Sequence, residues 1–194
     1  LPHVGKQFDM GLHNKKTLIL GESSYHPAGQ PKDIPNHTKN LAQDAIGYDY
    51  GKGYWNKSRF YTRIARMFGF NAAIYRQRQQ FWHSVAYYNF LQVVLTKPRQ
   101  DVLHEQWLNG IEPFRETIEE LLPDVVIAFS KRMWGFIPKE NEVHVANLFK
   151  IFCNKASFFS SSGKEVQMLG LYHPTSFGFK WRINKCLIDA FMKS

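Results

Sequence analysis

The sequence has little cysteine and no long apolar run, and each absence removes a class of protein. Its 194 residues include only Cys153 and Cys186, too few for a disulfide framework or for the four thiolates of an iron–sulfur cluster. No apolar stretch approaches the roughly 18 residues that span a bilayer, and residues 1–9 lack the apolar core of a signal peptide. We therefore expect a cytoplasmic protein that does not bind membranes.

Acidic residues are also scarce relative to basic ones. The chain has 25 Lys and Arg against 16 Asp and Glu, which gives a net charge of +9 and a pI near 9.5. Such an excess suits a polyanionic partner such as nucleic acid. The aromatic content of 15% suits either base stacking or a dense core. The length fits one domain, so we expect a single domain over residues 1–194.

Four short apolar segments predict strands, and helical patterns lie between them. The strand segments are residues 17–22, 85–91, 124–129 and 166–172. Continuous apolar runs of this kind are typical of parallel sheets covered on both faces. Helical spacing is present at residues 58–68 and 105–122, and in a final stripe made of Ile183, Cys186, Leu187, Ala190 and Phe191. The alternation predicts a three-layer α/β/α domain with a central, mainly parallel four-stranded sheet.

Unusual polar residues lie at or near the ends of these predicted strands. The first strand runs into Gly-Glu-Ser-Ser-Tyr-His at residues 21–26, the last ends at His173, and Asn89 lies within the apolar second strand. Ligands of such sheets bind beyond the carboxyl ends of the strands. A buried Asn is costly unless it is hydrogen-bonded, and its amide matches the donor and acceptor pattern of a pyrimidine edge. Asn89 therefore either recognises a base or holds a neighbouring loop.

These motifs resemble those of the uracil-DNA glycosylase superfamily. Residues 21–26 are similar to its strand-end motif Gly-Gln-Asp-Pro-Tyr-His, and Gly29 and Gln30 to the continuation of that motif. His-Pro-Thr-Ser-Phe at residues 173–177 is similar to its second motif, His-Pro-Ser-Pro-Leu, and Asn89 lies between the two as the family's base-recognising Asn does. The resemblance implies a glycosylase-like fold, DNA as the partner of a monomer, and hydrolytic excision of a flipped, deaminated base.

The resemblance also implies a role for each candidate residue. His173 would stabilise the charge on the leaving base, and the backbone amides of Glu22 and Ser23 would add hydrogen-bond donors. Asn89 would recognise the base edge, and Tyr25 would close the pocket against a bulky 5-substituent. The DNA-binding candidates are His26, Thr175, Ser176 and Phe177, the last filling the gap left by the flipped base. Tyr25 and Phe177 fit core aromatics equally well, and His26 also fits a structural histidine.

Two departures from the family pattern affect the expected chemistry. Ser23 replaces the Asp that orients the attacking water, and a hydroxyl is neither a strong base nor a charge that offsets a sugar cation. Glu22 could serve instead only if the turn after Gly21 reorients it, because successive strand side chains point to opposite faces. The family's base-stacking Phe is also displaced: the next Phe after the first motif is Phe60, so Tyr48 or Phe60 would take its place.

Two other functions stay open beside a DNA N-glycosylase. A protein of this fold could bind nucleic acid or a nucleotide without cutting it, since Ser23 lacks the family's charge. Gly-Glu-Ser at residues 21–23 also resembles the Gly-Asp-Ser block of SGNH ester hydrolases, with Ser23 as nucleophile and His173 as base. That family carries an Asp three positions before its His, where this chain has Gly170. The histidines show no metal-ligand spacing, and we expect no metal or organic cofactor.

Overall fold

The computed structural model describes residues 1–25, 35–46, 59–97, 100–145, 151–176 and 179–194. These residues form a seven-stranded mixed sheet, a separate two-stranded sheet and helices around them. The strands are β1 His3–Val4, β2 Thr17–Gly21, β3 Ser24–Tyr25, β4 Val85–Asn89, β5 Val94–Leu95, β6 Val125–Phe129, β7 Glu140–His144, β8 Cys153–Phe159 and β9 Glu165–Leu171. The α-helices are α1 His37–Ile46, α2 Arg59–Met67, α3 Tyr75–His83, α4 His104–Leu108, α5 Ile111–Leu121, α6 Lys131–Trp134 and α7 Trp181–Lys193, and a 3-10 turn spans Phe8–Met10.

Four parallel strands form the centre of the large sheet, in the order β4, β2, β6, β9. Every residue of β2, β4 and β6 is buried, which explains their continuous apolar character. Gly21 lies between Asn89 and Phe129 in register, and Phe129 lies opposite Leu171. The carboxyl ends of all four strands therefore share one border, which we call the strand-end edge.

The large sheet has seven strands where four were predicted. The additional strands β1, β7 and β8 pair in antiparallel fashion at its two sides. Strand β7 is exposed along its whole length and has no apolar run, so hydrophobic patterning gives no sign of it. The expected α/β class and central sheet are confirmed, and the sheet is mixed rather than only parallel.

Alternate residues of the central strands face two different hydrophobic clusters. On one face, Ile19, Tyr87 and Ile127 pack with residues of α2, α3 and α7. On the other face, Leu18, Ala86 and Val126 pack with residues of α4, α5 and α6. This division is what the two-residue period of a strand requires when helices cover both faces.

Two helix predictions need correction in detail. The predicted helix at residues 105–122 is two helices, and Pro113 lies in the first turn of the second, where its missing N–H breaks no helical bond. The predicted apolar stripe of α7 is confirmed only in part, because Phe191 is buried and Leu187 packs against the core, whereas Cys186 and Ala190 are exposed. The buried residues of this helix are Asn184, Ile188, Phe191 and Met192. In the described part of the chain, no helix is long and apolar enough to cross a membrane.

Candidate functional site

Asn89 is buried at the end of β4, and its amide is held by two protein side chains. Only 3% of the residue is exposed. The Tyr87 hydroxyl donates to Asn89 Oδ1 over 2.8 Å, and Asn89 Nδ2 donates to Thr38 Oγ1 over 3.2 Å. Burial raises the pKa of Tyr87 well above its usual value, against smaller opposing effects of its hydrogen bonds to Tyr61 and Asn89. The hydroxyl therefore keeps its proton and fixes the orientation of the amide.

Gly21 leaves the space that this arrangement needs. A Cβ at Gly21 would lie 2.5 Å from Asn89 Oδ1 and 2.7 Å from the Tyr87 hydroxyl oxygen. Both distances are far inside van der Waals contact. The glycine of the first sequence motif thus has a packing reason to be glycine: it lets the Tyr87–Asn89 pair lie against the neighbouring strand.

A small cavity of about 130 Å³ is lined in part by Asn89. Its polar lining among the described residues includes Ser24, Thr38, Asn89 and Gln92, and Leu91 and Val94 contribute apolar walls. A cavity of roughly 150 Å³ is known to hold one benzene ring, so this space is of the size of a single six-membered ring. Both Asn89 and the first strand-end motif, through Ser24, therefore contribute to one ring-sized cavity.

His173 lies two residues beyond β9 in a tight turn that fixes its ring. The backbone N–H of Thr175 donates to His173 Nδ1 over 3.3 Å, and the Thr175 hydroxyl lies 3.0 Å from the same nitrogen. A ring nitrogen that accepts from an amide carries no proton of its own, so the neutral ring is protonated at Nε2. Ser176 closes the turn by donating to the His173 carbonyl from its N–H, over 2.9 Å, and from its hydroxyl, over 2.8 Å.

Helix α2 holds this turn from one side. The Phe60 ring stacks on the His173 ring with centroids 5.0 Å apart and an angle of 28° between the planes. One turn further along the helix, Arg63 donates to the Pro174 carbonyl and lies over the Phe179 ring at 5.8 Å. The resemblance offered Phe60 as a base-stacking aromatic, whereas the structure places it against the histidine itself.

The same helix links His173 to Asn89. The Phe60 ring also meets the Tyr87 ring edge-on, with centroids 6.0 Å apart. Tyr87 in turn donates to Asn89. His173 and Asn89 therefore lie on the same face of the sheet, at the strand-end edge, connected by two aromatic rings.

Glu22 turns toward the end of β6. Arg132 forms an ion pair with its carboxylate, and the Ser130 hydroxyl donates to the same group. The Glu22 side chain is only 12% exposed while that of Arg132 is 47% exposed, so the carboxylate is enclosed and the guanidinium covers it. Ser130 also caps α6, accepting from the Met133 N–H over 3.2 Å. This network ties the first strand-end motif to β6 and to α6.

The other predicted site residues that the structure describes make no hydrogen bond with the Asn89 amide. The Ser23 hydroxyl makes no hydrogen bond with the described part of the chain, whereas the hydroxyls of Thr175 and Ser176 bond within their own turn. Tyr25 is 50% exposed on β3, which pairs with β5. The remaining candidates, His26, Phe177 and Tyr48, lie outside the described residues, as do Gly29 and Gln30.

Sequence reasoning missed the residues that orient the site. Thr38 and Arg132 carry no motif and lie far along the chain from their partners Asn89 and Glu22. Tyr87 was noted only as part of an apolar strand. Its position two residues before Asn89, on the same strand face, is the one available signal that the two side chains meet.

A larger cavity of about 470 Å³ lies at the opposite side of the sheet and contains none of the predicted residues. It is lined by Arg115, Glu119, Lys139, Phe158 and other residues. Phe158 pairs with Val166, at the other end of β9 from Leu171. Of the predicted residues, Asn89 lines the smaller cavity, whereas His173 and Glu22 line neither of these two cavities.

Comparison of the sequence with protein families and with curated proteins identified no relative. No protein-family model matches the chain, and no curated protein matches it either. Among the described residues, no group of His, Cys, Asp and Glu side chains is arranged to hold a metal ion. The geometry of the strand-end edge and the sequence motifs are therefore the features that bear on function.

Proposed function

We propose that this protein recognises a nucleobase in DNA and excises it by hydrolysis of the N-glycosidic bond. The observation that carries the proposal is the placement of Asn89 and His173 on one face of the strand-end edge. The amide of Asn89 is held by Tyr87, Asn89 lines a ring-sized cavity, and the Nδ1 of His173 accepts from the Thr175 N–H. Both side chains come from the motifs that resemble the uracil-DNA glycosylase superfamily.

The hydrogen bonds of Asn89 leave it able to recognise a base. An amide oxygen has two lone pairs and an amide nitrogen has two N–H groups. Tyr87 uses one lone pair and Thr38 uses one N–H, which leaves one acceptor and one donor on the amide. That pair complements a base edge that offers an N–H next to a carbonyl. Holding the amide by its other two positions avoids the entropy cost of ordering it on binding.

His173 is suited to stabilise the leaving base. As the glycosidic bond breaks, both of its electrons go to the base, and negative charge gathers on the base carbonyl. The Nε2–H of His173 would donate to that oxygen, and a donor aimed at developing charge acts mainly on the transition state. Water then adds to the sugar carbon, and the proton lost by the water balances the charge on the released base.

The residues of the first motif are poorly suited to activate the water. Ser23 would position a water molecule by hydrogen bonding, but its hydroxyl supplies no charge. Both oxygens of Glu22 are engaged by Arg132 and Ser130, so a direct role for Glu22 would require it to leave them. We therefore expect excision to be slower than in family members that carry an Asp at this position.

Incubation with modified oligonucleotides tests the proposal. Single- and double-stranded oligonucleotides containing uracil, xanthine or hypoxanthine would be incubated with the protein and then cleaved with alkali at abasic sites. Strand cleavage that depends on both the protein and the modified base would support excision. Failure to bind or cleave any of these oligonucleotides would overturn the proposal.

Non-catalytic binding of nucleic acid is the second candidate, and one observation favours it. The enclosed carboxylate of the first motif, that of Glu22, is paired with Arg132, and the residue at the family's Asp position is Ser23. Fluorescence anisotropy measured on the same oligonucleotides separates the two functions. Binding of a modified oligonucleotide without abasic-site formation would place this candidate first.

Ester hydrolysis has less support than either function. A Ser-His nucleophile pair needs the histidine Nδ1–H to donate to an orienting carboxylate. In this chain His173 Nδ1 instead accepts from the Thr175 N–H, and the Phe60 ring stacks on the imidazole. Assay with p-nitrophenyl acetate tests this alternative directly.

A further inference from the structure

An exposed tryptophan stands at the start of α7, close in sequence to the His173 turn. Trp181 is 42% exposed, which is unusual for so large an aromatic side chain. The guanidinium carbon of Arg182 lies 5.5 Å from the Trp181 ring centroid. Lys180 and Arg182 on either side are themselves exposed. We call these three residues, Lys180, Trp181 and Arg182, the Trp181 platform.

The surroundings of the Trp181 platform are basic. Arg63 of α2 lies over Phe179, and a Cβ on Gly69 would lie 3.9 Å from Lys185 Nζ, so α2 and α7 run side by side in the same direction. Arg66 of α2 and Arg182 of α7 are both exposed, and neither arginine forms an ion pair with the described residues. The one acidic residue of α7, Asp189, is two turns away and is paired with Lys185 at 2.7 Å.

We propose that the Trp181 platform binds single-stranded nucleic acid, with one base stacked on the Trp181 ring. Arg182 and Arg66 would contact the phosphates on either side of that base. The inference rests on the proposed function only in taking nucleic acid as the partner, and it does not depend on excision. It adds a strand preference that the motifs at His173 and Asn89 do not specify.

The preference for a single strand follows from the chemistry of an exposed indole. Base stacking on an aromatic side chain needs an open base face, and the faces of bases in a duplex are already stacked on their neighbours. Arginine beside the ring adds attraction for phosphate and a second planar surface. A surface with exposed cations but no exposed aromatic would bind duplex and single strands by charge alone.

Fluorescence anisotropy with a labelled oligothymidylate of about 12 nucleotides, and with the matching duplex, tests the proposal. Trp181→Ala should weaken binding of the single strand by roughly ten-fold or more, and should change duplex binding much less. Trp181→Phe, which keeps a stacking ring, should recover most of the affinity. Arg182→Gln should lower the salt dependence of single-strand binding by about 0.7 in the log–log slope, the value for one lost phosphate contact.

The matched control is Phe159→Ala. Phe159 is also 42% exposed, but it lies on β8 near the end of the sheet away from the strand-end edge. This variant should bind the single strand as the wild type does. If Trp181→Ala and Phe159→Ala both bind like the wild type, or if Trp181→Ala weakens duplex binding equally, the inference is overturned.

The outcomes also separate this inference from the proposed function. A wild type that binds neither strand form would overturn both. A wild type that binds and excises, with no effect of Trp181→Ala on single-strand affinity, would overturn only the platform. Loss of affinity in Trp181→Ala and its recovery in Trp181→Phe would support the platform, whether or not the wild type excises a base.

Discussion

Gly21 controls the geometry of the Asn89 amide because no larger side chain fits beside it. In Gly21→Ala the new methyl group would overlap Asn89 Oδ1 and the Tyr87 hydroxyl, at 2.5 and 2.7 Å. Relieving the overlap must move that hydrogen-bonded pair. We expect a loss of about 1–3 kcal/mol in the free energy of unfolding, the usual cost of overpacking, and a loss of base excision beyond that caused by unfolding.

Urea unfolding and excision measured on folded protein test this prediction together. Gly135→Ala is the control, because a Cβ at Gly135 would meet only the Arg132 carbonyl oxygen, at an ordinary 3.5 Å. The control should keep wild-type excision. Wild-type excision by folded Gly21→Ala would show that the orientation of the Asn89 amide is not needed for excision.

Substitution of Glu22 by Gln distinguishes two roles of its carboxylate. The carboxylate either positions the strand-end motif or takes part in the reaction, and the two roles predict different losses of excision. A glutamine at position 22 keeps an oxygen that can accept from Ser130 and Arg132, although it loses the negative charge. If Glu22 only holds the strand-end motif, Glu22→Gln should lower excision by less than about ten-fold, the worth of roughly 1.4 kcal/mol. A loss as large as that of His173→Ala in single-turnover rate would show that the carboxylate acts in the reaction.

At this scale the sequence predicted which residues lie at the strand-end edge but not their partners. The motif residues Glu22 and His173 follow β2 and β9, two parallel strands with only β6 between them. They were found because polar residues after apolar runs mark strand ends. The partner of Glu22 is Arg132, 110 positions further along the chain. Long-range ion pairs of this kind depend on packing and leave no periodic pattern in a single sequence.

Among the elements, helix α2 is the one that would position His173 for the proposed reaction. It contacts the His173 turn twice, through the Phe60 ring and through Arg63, which donates to Pro174. Phe60→Leu keeps an apolar side chain but removes the ring stack, which is worth about 0.5–1.5 kcal/mol. We expect a two- to ten-fold loss of excision and a changed environment of the His173 ring.

Nitrogen NMR of the histidine ring is the informative readout, because a merely structural loss would not move it. The wild type should show Nε2 protonated and Nδ1 unprotonated, and Phe60→Leu should broaden or shift these signals. Phe70→Leu is the control, since Phe70 packs on Phe81 rather than on the histidine. Unchanged His173 signals in Phe60→Leu would argue against positioning by α2.

The sequence predicted strands and helices correctly where burial produces a continuous or periodic pattern of apolar residues. Strands β2, β4, β6 and β9 were predicted because nearly all of their residues are apolar and buried. Helix α3 was missed because its sequence is mostly polar, although Arg78 within it is buried and donates to the Ala72 carbonyl over 2.8 Å. Strand β7 was missed because it is exposed, and its pairing with β8 depends on backbone bonds that any sequence can make.

For the whole molecule, buried histidines make stability depend on pH. Burial lowers the pKa of His3, against a smaller effect of its hydrogen bond to the Trp82 carbonyl, and the nearby charges of His83 and Lys39 lower it further. Burial also lowers the pKa of His83. A lowered pKa means that the unfolded chain binds more protons than the folded protein as the pH falls through the ordinary value near 6.5.

We therefore expect the urea concentration at the midpoint of unfolding to be highest above pH 6.5, the ordinary pKa of histidine, and to fall between about pH 7 and pH 5. His3→Gln keeps a group that can donate to Trp82 and does not titrate, so its midpoint should fall less over this range. The comparison needs only circular dichroism at several pH values. A midpoint that falls equally in both proteins would show that His3 does not contribute.

The proposed excision reaction depends on stabilisation of the leaving base by His173. Single-turnover excision of uracil from an oligonucleotide should therefore be measured for the wild type, His173→Ala and Ser23→Ala, with p-nitrophenyl acetate as a second substrate. We expect His173→Ala to lower the excision rate by roughly two to three orders of magnitude, Ser23→Ala to lower it much less, and none of the proteins to hydrolyse the ester. Ester hydrolysis abolished by Ser23→Ala, or excision unchanged in His173→Ala, would contradict the account.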